Sequence, residues 1–168
     1  MSLSMYQASV PVLTRALSNL SALLDKAAAH CAAKKIDPAV LLGSRLYPDM
    51  FALTRQVQIA TDMSKGAGAR LSGVEIPKYE DDEKSIDDLK ARIAKTIVFL
   101  NGLDAKAIDG TEAKDINLTI GGQPWTTNGQ TYLLNFAVPN VLFHCATAYG
   151  IMRHCGVELG KGDFLGPR

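Results

Sequence analysis

A chain of 168 residues with 47% hydrophobic side chains can bury roughly two thirds of its unfolded surface without disulfides or a structural metal, so we expect residues 1–168 to form one domain. Its 18 basic and 17 acidic side chains create no overall field that would attract nucleic acid or an anionic membrane. No apolar run reaches the roughly 18 residues of a membrane span, and the first residues lack the pattern of a secretory signal. These features predict a cytoplasmic protein without nucleic-acid or membrane partners.

The three cysteines, Cys31, Cys145 and Cys155, include no C-x-x-C pair, which argues against a zinc finger or a thioredoxin-like motif. Cys145 and Cys155 lie ten residues apart on one predicted helix. That spacing is about 15 Å along the helix axis, which is too far for a disulfide. We therefore expect three reduced thiols.

Apolar spacings of four and three residues predict a first helix near residues 4–31 with one buried seam. Pro48 offers a start for a second helix, near residues 48–71. Its inward stripe contains Asp49, Leu53, Gln56, Ala60, Met63 and Ala67, and Arg55, Gln58, Asp62 and Lys65 fall outside it. Asp49 and Gln56 are thus predicted to face the bundle interior.

The acidic segment YEDDEKS predicts a surface linker before a third helix near residues 85–101. Ser85 and Asp88 have the spacing of a capping box at the start of this helix. The period then changes to two residues in INLTI, and a Gly-Gly turn followed by QPWTT predicts a hairpin near residues 116–126. Because an isolated hairpin is barely stable in water, it should pack on the helices.

A fourth helix is predicted near residues 130–155, with Pro139 requiring a kink or a break in its hydrogen-bond ladder. At about 100° per residue, Asn140 and His144 share the apolar face of this helix. His144 is then either a hydrogen-bonded core histidine, with Asn140 or Gln56 as its partner, or part of a ligand pocket. Asn140 could instead satisfy a carbonyl that Pro139 leaves free.

Asp49 and Trp125 also have structural alternatives to a role in a site. A carboxylate just after Pro48 commonly caps a helix or complements its dipole. Trp125 could be a hydrophobic lid that packs the hairpin on the bundle, or a wall of a pocket. The sequence contains no serine nucleophile elbow, phosphate-binding glycine loop or dinucleotide fingerprint.

Four long helices, with a long connection before the last and a polar pair at positions i and i+4 inside it, resemble the DinB/YfiT-like four-helix bundles. Within that group the chain is similar to a bacterial family described only as a domain of unknown function. The resemblance rests on LYPDMFALTRQVQIATD, on the Gly-Gly and Trp hairpin, and on FAVPNVLFHCATAYGIMRHCGVELGKGDFLG. It implies an all-α four-helix bundle with a short β-hairpin inserted before the last helix.

Members of the wider group bind a divalent metal through one His on the second helix and an H-x-x-x-H pair on the last, and some are thiol transferases or hydrolases. In this chain the pair falls on Asn140 and His144, and the nearest inward polar residues on the second helix are Asp49 and Gln56. Two of the three expected imidazoles are therefore missing. The Asn that replaces one of them is a weak ligand for Zn²⁺ or Ni²⁺.

The site residues allow two functional hypotheses. The first is a bundle that binds an unidentified small molecule, with no cofactor, in a pocket formed by Asp49, Gln56, Trp125, Asn140 and His144. The alternative is a divalent-metal-dependent hydrolase or thiol transferase that holds Zn²⁺ or Ni²⁺ with His144, helped by Asn140 and by Asp49 or Gln56.

Apolar residues that lie outside the predicted buried stripes of the helices indicate that two chains associate. Phe51, Ile59 and Leu142 would otherwise face water, so the sequence also predicts a symmetric homodimer.

Overall fold

The computed structural model describes residues 3–167 and contains four long helices. These are α1 (Met5–Lys34), α3 (Leu53–Ser72), α4 (Ile86–Asn101) and α7 (Val138–His154). The short helices are α2 (Pro38–Leu42), α5 (Ala105–Ile108), α6 (Gly129–Tyr132) and α8 (Lys161–Leu165). An antiparallel hairpin of β1 (Asp115–Ile120) and β2 (Gln123–Asn128) precedes α6. The predicted four-helix bundle with a hairpin before its last helix is confirmed.

The long helices surround one apolar core. Helices α1 and α3 touch each other, and each also packs against both α4 and α7, which places α4 and α7 diagonally across the bundle. Leucines of α1 contribute much of the core because they recur on one face at spacings of three and four residues. Cys31 and Cys145 are buried in this core, and all three cysteines are free, as predicted.

The start of α3 differs from the prediction. Pro48 and Asp49 form the middle of a turn closed by a hydrogen bond from the Met50 N–H to the Tyr47 carbonyl (3.0 Å). Proline and aspartate suit such a turn as well as they suit a helix start, and here the turn is formed. The helix begins at Leu53, so Asp49 is exposed and does not face the interior.

The acidic segment between α3 and α4 is an anchor and not only a surface linker. Arg92 of α4 is 1% exposed, and its nitrogens bond to Asp62 (2.7 Å), Glu83 (2.9 Å) and the Thr61 hydroxyl (2.8 Å). Asp81 lies 3.1 Å from the same guanidinium. These bonds hold the segment down over the outer face of α3.

Two residues that were predicted to lie outside the buried stripe of α3 are therefore buried. The Gln58 amide donates a hydrogen bond to Glu83 (2.8 Å), and Lys65 pairs with Asp62 (2.6 Å) while its ammonium lies over the Tyr79 ring. The acidic segment between α3 and α4 covers Gln58 and Lys65 and buries them. The apolar spacing within α3 could not predict this burial, because the segment lies outside the helix. The predicted capping box of Ser85 and Asp88 at the start of α4 is confirmed.

The last long helix is interrupted where Pro139 predicted a break. Residues Leu133–Ala137 form a π-helical turn, in which the Val138 N–H donates to the Leu133 carbonyl five residues earlier. Such a turn accommodates one extra residue and re-aligns the ladder before a proline that cannot donate. In the part of the chain that the structure describes, no helix combines the length and apolarity that a membrane span requires.

Candidate ligand site at His144

His144 lies on the side of α7 that packs against α3, and it is 9% exposed. Its ring nitrogen Nδ1 is 2.7 Å from Oε1 of Gln56, which is itself buried in α3. The amide nitrogen of Gln56 donates a hydrogen bond to the Phe51 carbonyl (3.0 Å), just before α3 begins. The predicted pairing of His144 with Gln56 is therefore present.

This short chain of hydrogen bonds fixes the tautomer of His144. The Phe51 carbonyl can only accept, so the Gln56 atom that faces it must be the amide nitrogen. Oε1 of Gln56 then faces Nδ1 and can only accept, so Nδ1 carries the proton in the neutral ring. Nε2 is left with a free lone pair.

The free nitrogen is not completely buried. Nε2 has no hydrogen-bond partner within residues 3–167. In the same residues, the unpartnered side-chain atoms that are completely buried do not include Nε2. Burial lowers the pKa of His144, and the nearby positive charge of Arg55 lowers it further. Nε2 is therefore a hydrogen-bond acceptor, or a base, that stays unprotonated at neutral pH.

One aromatic ring packs against the histidine, and a second exposed aromatic side chain lies at the start of the bond series. The ring of Phe143 meets the His144 ring edge to face with centroids 5.1 Å apart, and it is 57% exposed. Phe51, whose carbonyl orients Gln56, has its own side chain 56% exposed. Exposed aromatic surface beside an oriented polar atom is typical of a recognition site.

Arg55 contributes the charge on this side of α3. Its guanidinium pairs with Asp81 (2.5 Å) and donates to the Gln58 side chain (3.2 Å). The helical period placed Arg55 outside the inward stripe and did not connect it with His144. Arg55 directly precedes Gln56, but consecutive helical residues point about 100° apart, so the sequence offered no signal that joined them in one site.

Asn140 does not join His144 and Gln56. It is half-buried, and its amide donates to the Phe136 carbonyl one helical turn earlier (2.7 Å). Pro139 cannot donate to the Asn135 carbonyl four residues earlier. The Asn140 amide does not bond to that carbonyl, so it does not have the predicted role of replacing the lost donor. The buried face of α7 is centred between His144 and Cys145, and Asn140 lies about 40° from His144 on its outer side.

Two further predicted site residues lie elsewhere. Asp49 is exposed on the turn before α3. The Trp125 ring packs against Phe136 with centroids 5.2 Å apart, so it fastens the hairpin to the π-helical turn. Phe136 precedes His144 by eight residues, about 12 Å along a helix axis. None of five well-defined cavities in the described chain is lined by Gln56, Asn140 or His144.

The residues at hand do not fit the metal centre that the resemblance implies. His144 supplies one imidazole, Gln56 and Asn140 are amides already used in hydrogen bonds, and Asp49 is displaced. Among residues 3–167, no three His, Cys, Asp or Glu side chains are placed to share an ion. A tight Zn²⁺ or Ni²⁺ site needs three or more donors of those types.

The bundle, the inserted hairpin and the inward histidine of the last helix define a DinB-like protein. A solved structure described as a DinB family member from Shewanella denitrificans is 40% identical to this chain, with a TM-score of 0.88. The match covers 97% of this chain and 92% of that one. Residues 5–165 match the model of the family described as "Domain of unknown function (DUF1993)", and the chain belongs to this family. A comparison with curated proteins finds no significant match.

Proposed function

We propose that this chain is a small-molecule-binding helical bundle that recognises its ligand through Nε2 of His144. The single observation that carries the proposal is the bond series from the Phe51 carbonyl through Gln56 to Nδ1, which leaves an oriented acceptor at the surface. A core histidine with a merely structural role has both nitrogens paired as a rule. Within residues 3–167, the second nitrogen of His144 has no partner and is not completely buried.

The surroundings favour a particular ligand chemistry. An unprotonated Nε2 accepts a hydrogen bond, and the exposed ring of Phe143 offers a flat apolar contact beside it. The Arg55 cation disfavours a positively charged ligand. We therefore propose a neutral or anionic molecule with an O–H or N–H donor next to an aromatic or apolar group.

His144→Asn tests this proposal directly. The Asn amide can still donate to Gln56 from near the position of Nδ1, but it has no counterpart of Nε2. We expect NMR screening of neutral aromatic donors, phenol and benzamide among them, to yield compounds that shift the ¹⁵Nε2 signal of His144. Their affinity should fall about tenfold or more in His144→Asn, because the oriented acceptor is lost. Equal binding by both proteins would refute the role of His144.

Elemental analysis of untagged protein and titration with Zn²⁺ and Ni²⁺ distinguish the metal-dependent alternative from metal-free binding of a small molecule. We expect no stoichiometric metal and no effect of EDTA on the melting temperature. A metal that binds only the folded state would add RT ln(1 + [L]/Kd) to its stability. One tightly held ion per chain that is lost in His144→Asn would favour a hydrolase or thiol transferase of the DinB type.

We also propose a symmetric homodimer. Phe51 is exposed as the prediction requires and Ile59 is half-buried; Leu142 is also exposed but lies about 200° around α7 from His144, away from Phe51, so the contact we propose is centred on Phe51. Light scattering at micromolar concentration should show twice the chain mass. Phe51→Ser should shift the distribution toward monomer, and a monomeric wild type would contradict the proposal.

A further inference from the structure

A cavity lies on the opposite side of α7 from the proposed site. It has a volume of about 190 Å³ and opens between α1, α7 and the C-terminal helix α8. Its walls are mainly apolar and include Val12, Ala16, Leu20, Leu142, Phe164 and Leu165. The buried thiol of Cys145 also lines it, and burial raises the pKa of that thiol to about 12, so it acts as an apolar wall group.

The cavity is large enough for a small organic molecule. An enclosed apolar cavity of about 150 Å³ binds benzene because water finds no polar partners there, and the present cavity has a comparable volume but opens to the surface. Val12, Leu142 and Leu165 around its mouth are exposed, so the apolar surface continues from the interior to the rim. Such a cavity favours an apolar guest over water.

The polar groups at the mouth are Arg15 and Asn19 of α1. Nη2 of Arg15 donates to the Leu165 carbonyl (3.2 Å) and the Pro167 carbonyl (2.9 Å), and Asn19 donates to the Phe164 carbonyl (3.1 Å). These bonds hold the C-terminal segment over the cavity as one of its walls. Lys26 and Asp163 add an ion pair at the other end of α8 (2.6 Å).

Arg15 retains donors after these bonds. A guanidinium has five N–H groups, and its Nε and Nη1 groups have no acceptor within residues 3–167. No acidic side chain of the described chain lies within ion-pair distance of Arg15. Within residues 3–167, the positive charge at the mouth is therefore paired only with neutral carbonyls.

We propose that this cavity binds a small organic acid whose compact apolar body fills the space between α1 and α7 and whose carboxylate pairs with Arg15. Charge complementarity selects a carboxylate over an amine or a neutral alcohol, because the guanidinium fork matches two carboxylate oxygens. The site is independent of the proposed one. Helix α7 presents Leu142 and Cys145 to this cavity and His144 to α3.

The test uses hexanoate as the probe, 1-hexanol as its uncharged counterpart, and methyl NMR of the full chain. We expect saturable shifts of the Leu20, Leu142 and Leu165 methyl groups, with affinity between micromolar and millimolar. Arg15→Met removes the bonds to the C-terminal wall for both probes and the charge for hexanoate alone, so it should weaken hexanoate about two- to fivefold more than it weakens hexanol. This difference between the two probes isolates the carboxylate contact.

Filling the cavity supplies the second arm of the test. Ala16→Leu projects a larger side chain into the space and should weaken both probes at least tenfold. Ala22→Leu places the same change on an exposed position of α1 and should leave both affinities unchanged. His144→Asn should also bind hexanoate normally, which separates this proposal from the function proposed above.

Three results would overturn the proposal. They are the absence of saturable shifts with hexanoate, equal sensitivity of hexanoate and hexanol to Arg15→Met, and shifts of the mouth residues that depend on protein concentration without any probe. The last result would assign the surface to contact with a second copy of the chain.

Discussion

Arg92→Met is expected to lower the free energy of unfolding by about 3 to 5 kcal/mol, the range found when one partner of a buried ion pair is removed. The guanidinium is buried and bonds to α3 and to the segment before α4. Its loss leaves Glu83, whose side chain is 5% exposed, with a charge inside the protein and without its main partner. Urea or guanidinium denaturation measures the change.

Lys90→Met is the matched control on the same helix. Lys90 also pairs with a carboxylate, that of Asp25, but both side chains are accessible to water. Removal of such a water-exposed pair should change the free energy of unfolding far less than Arg92→Met does. An equal loss of unfolding free energy in both variants would show that the buried bonds of Arg92 stabilise the fold no more than an exposed ion pair does.

Acid sensitivity provides an independent check on Arg92. Burial alone would raise the pKa of Glu83, but hydrogen bonds from Arg92 and Gln58 outweigh it and lower the pKa. A depressed pKa in the folded state means stability that is complete above the ordinary glutamate value, about 4.3, and is lost as the pH falls through the folded value. This loss should be smaller in Arg92→Met.

His144→Ala is expected to cost about 1 to 4 kcal/mol at pH 8, because it opens a cavity and leaves Oε1 of Gln56 without its donor. His144→Asn should retain most of that stability through its amide. His154→Ala, at the exposed end of the same helix, should change stability by no more than about 0.5 kcal/mol.

The pH dependence of stability distinguishes His144 from a solvated histidine. Its folded-state pKa is lowered, so its contribution is complete above about pH 6.5, the ordinary histidine value, and is lost as the pH falls through the folded value. Wild-type stability should therefore decline between neutral pH and pH 5 more steeply than that of His144→Ala. Parallel curves for the two proteins would contradict the assigned environment.

The four long helices could be predicted because their apolar spacing is a local property of the chain. The start of α3 could not, since Pro48 suits both a turn and a helix, and the long connection from Ser44 to Leu53 decides between them. The pairing of His144 with Gln56 was predictable because both lie on inward stripes. The edge position of Asn140 depends on where α1 and α3 sit against α7, which periodicity does not contain.

Arg92 shows a different limit. It stands between Leu89 and Ile93 in the sequence of α4, and nothing in that stretch identifies its partners. Asp62 precedes it by thirty residues, and Glu83 belongs to a segment whose composition is typical of solvated linkers. Partners so far apart in sequence are brought together by the packing of α3 on α4.

The π-helical turn at Leu133–Ala137 sets the rotation of the hairpin about the helix axis relative to the face of α7 that carries His144. One extra residue in a helix rotates the part before it by about 100° relative to the part after it. Deleting a residue there would give a regular ladder, yet it would swing β1 and β2 about a quarter of the way around the bundle while His144 still faced α3. The relation between these two parts of the protein is therefore far more sensitive to insertions and deletions than to substitutions.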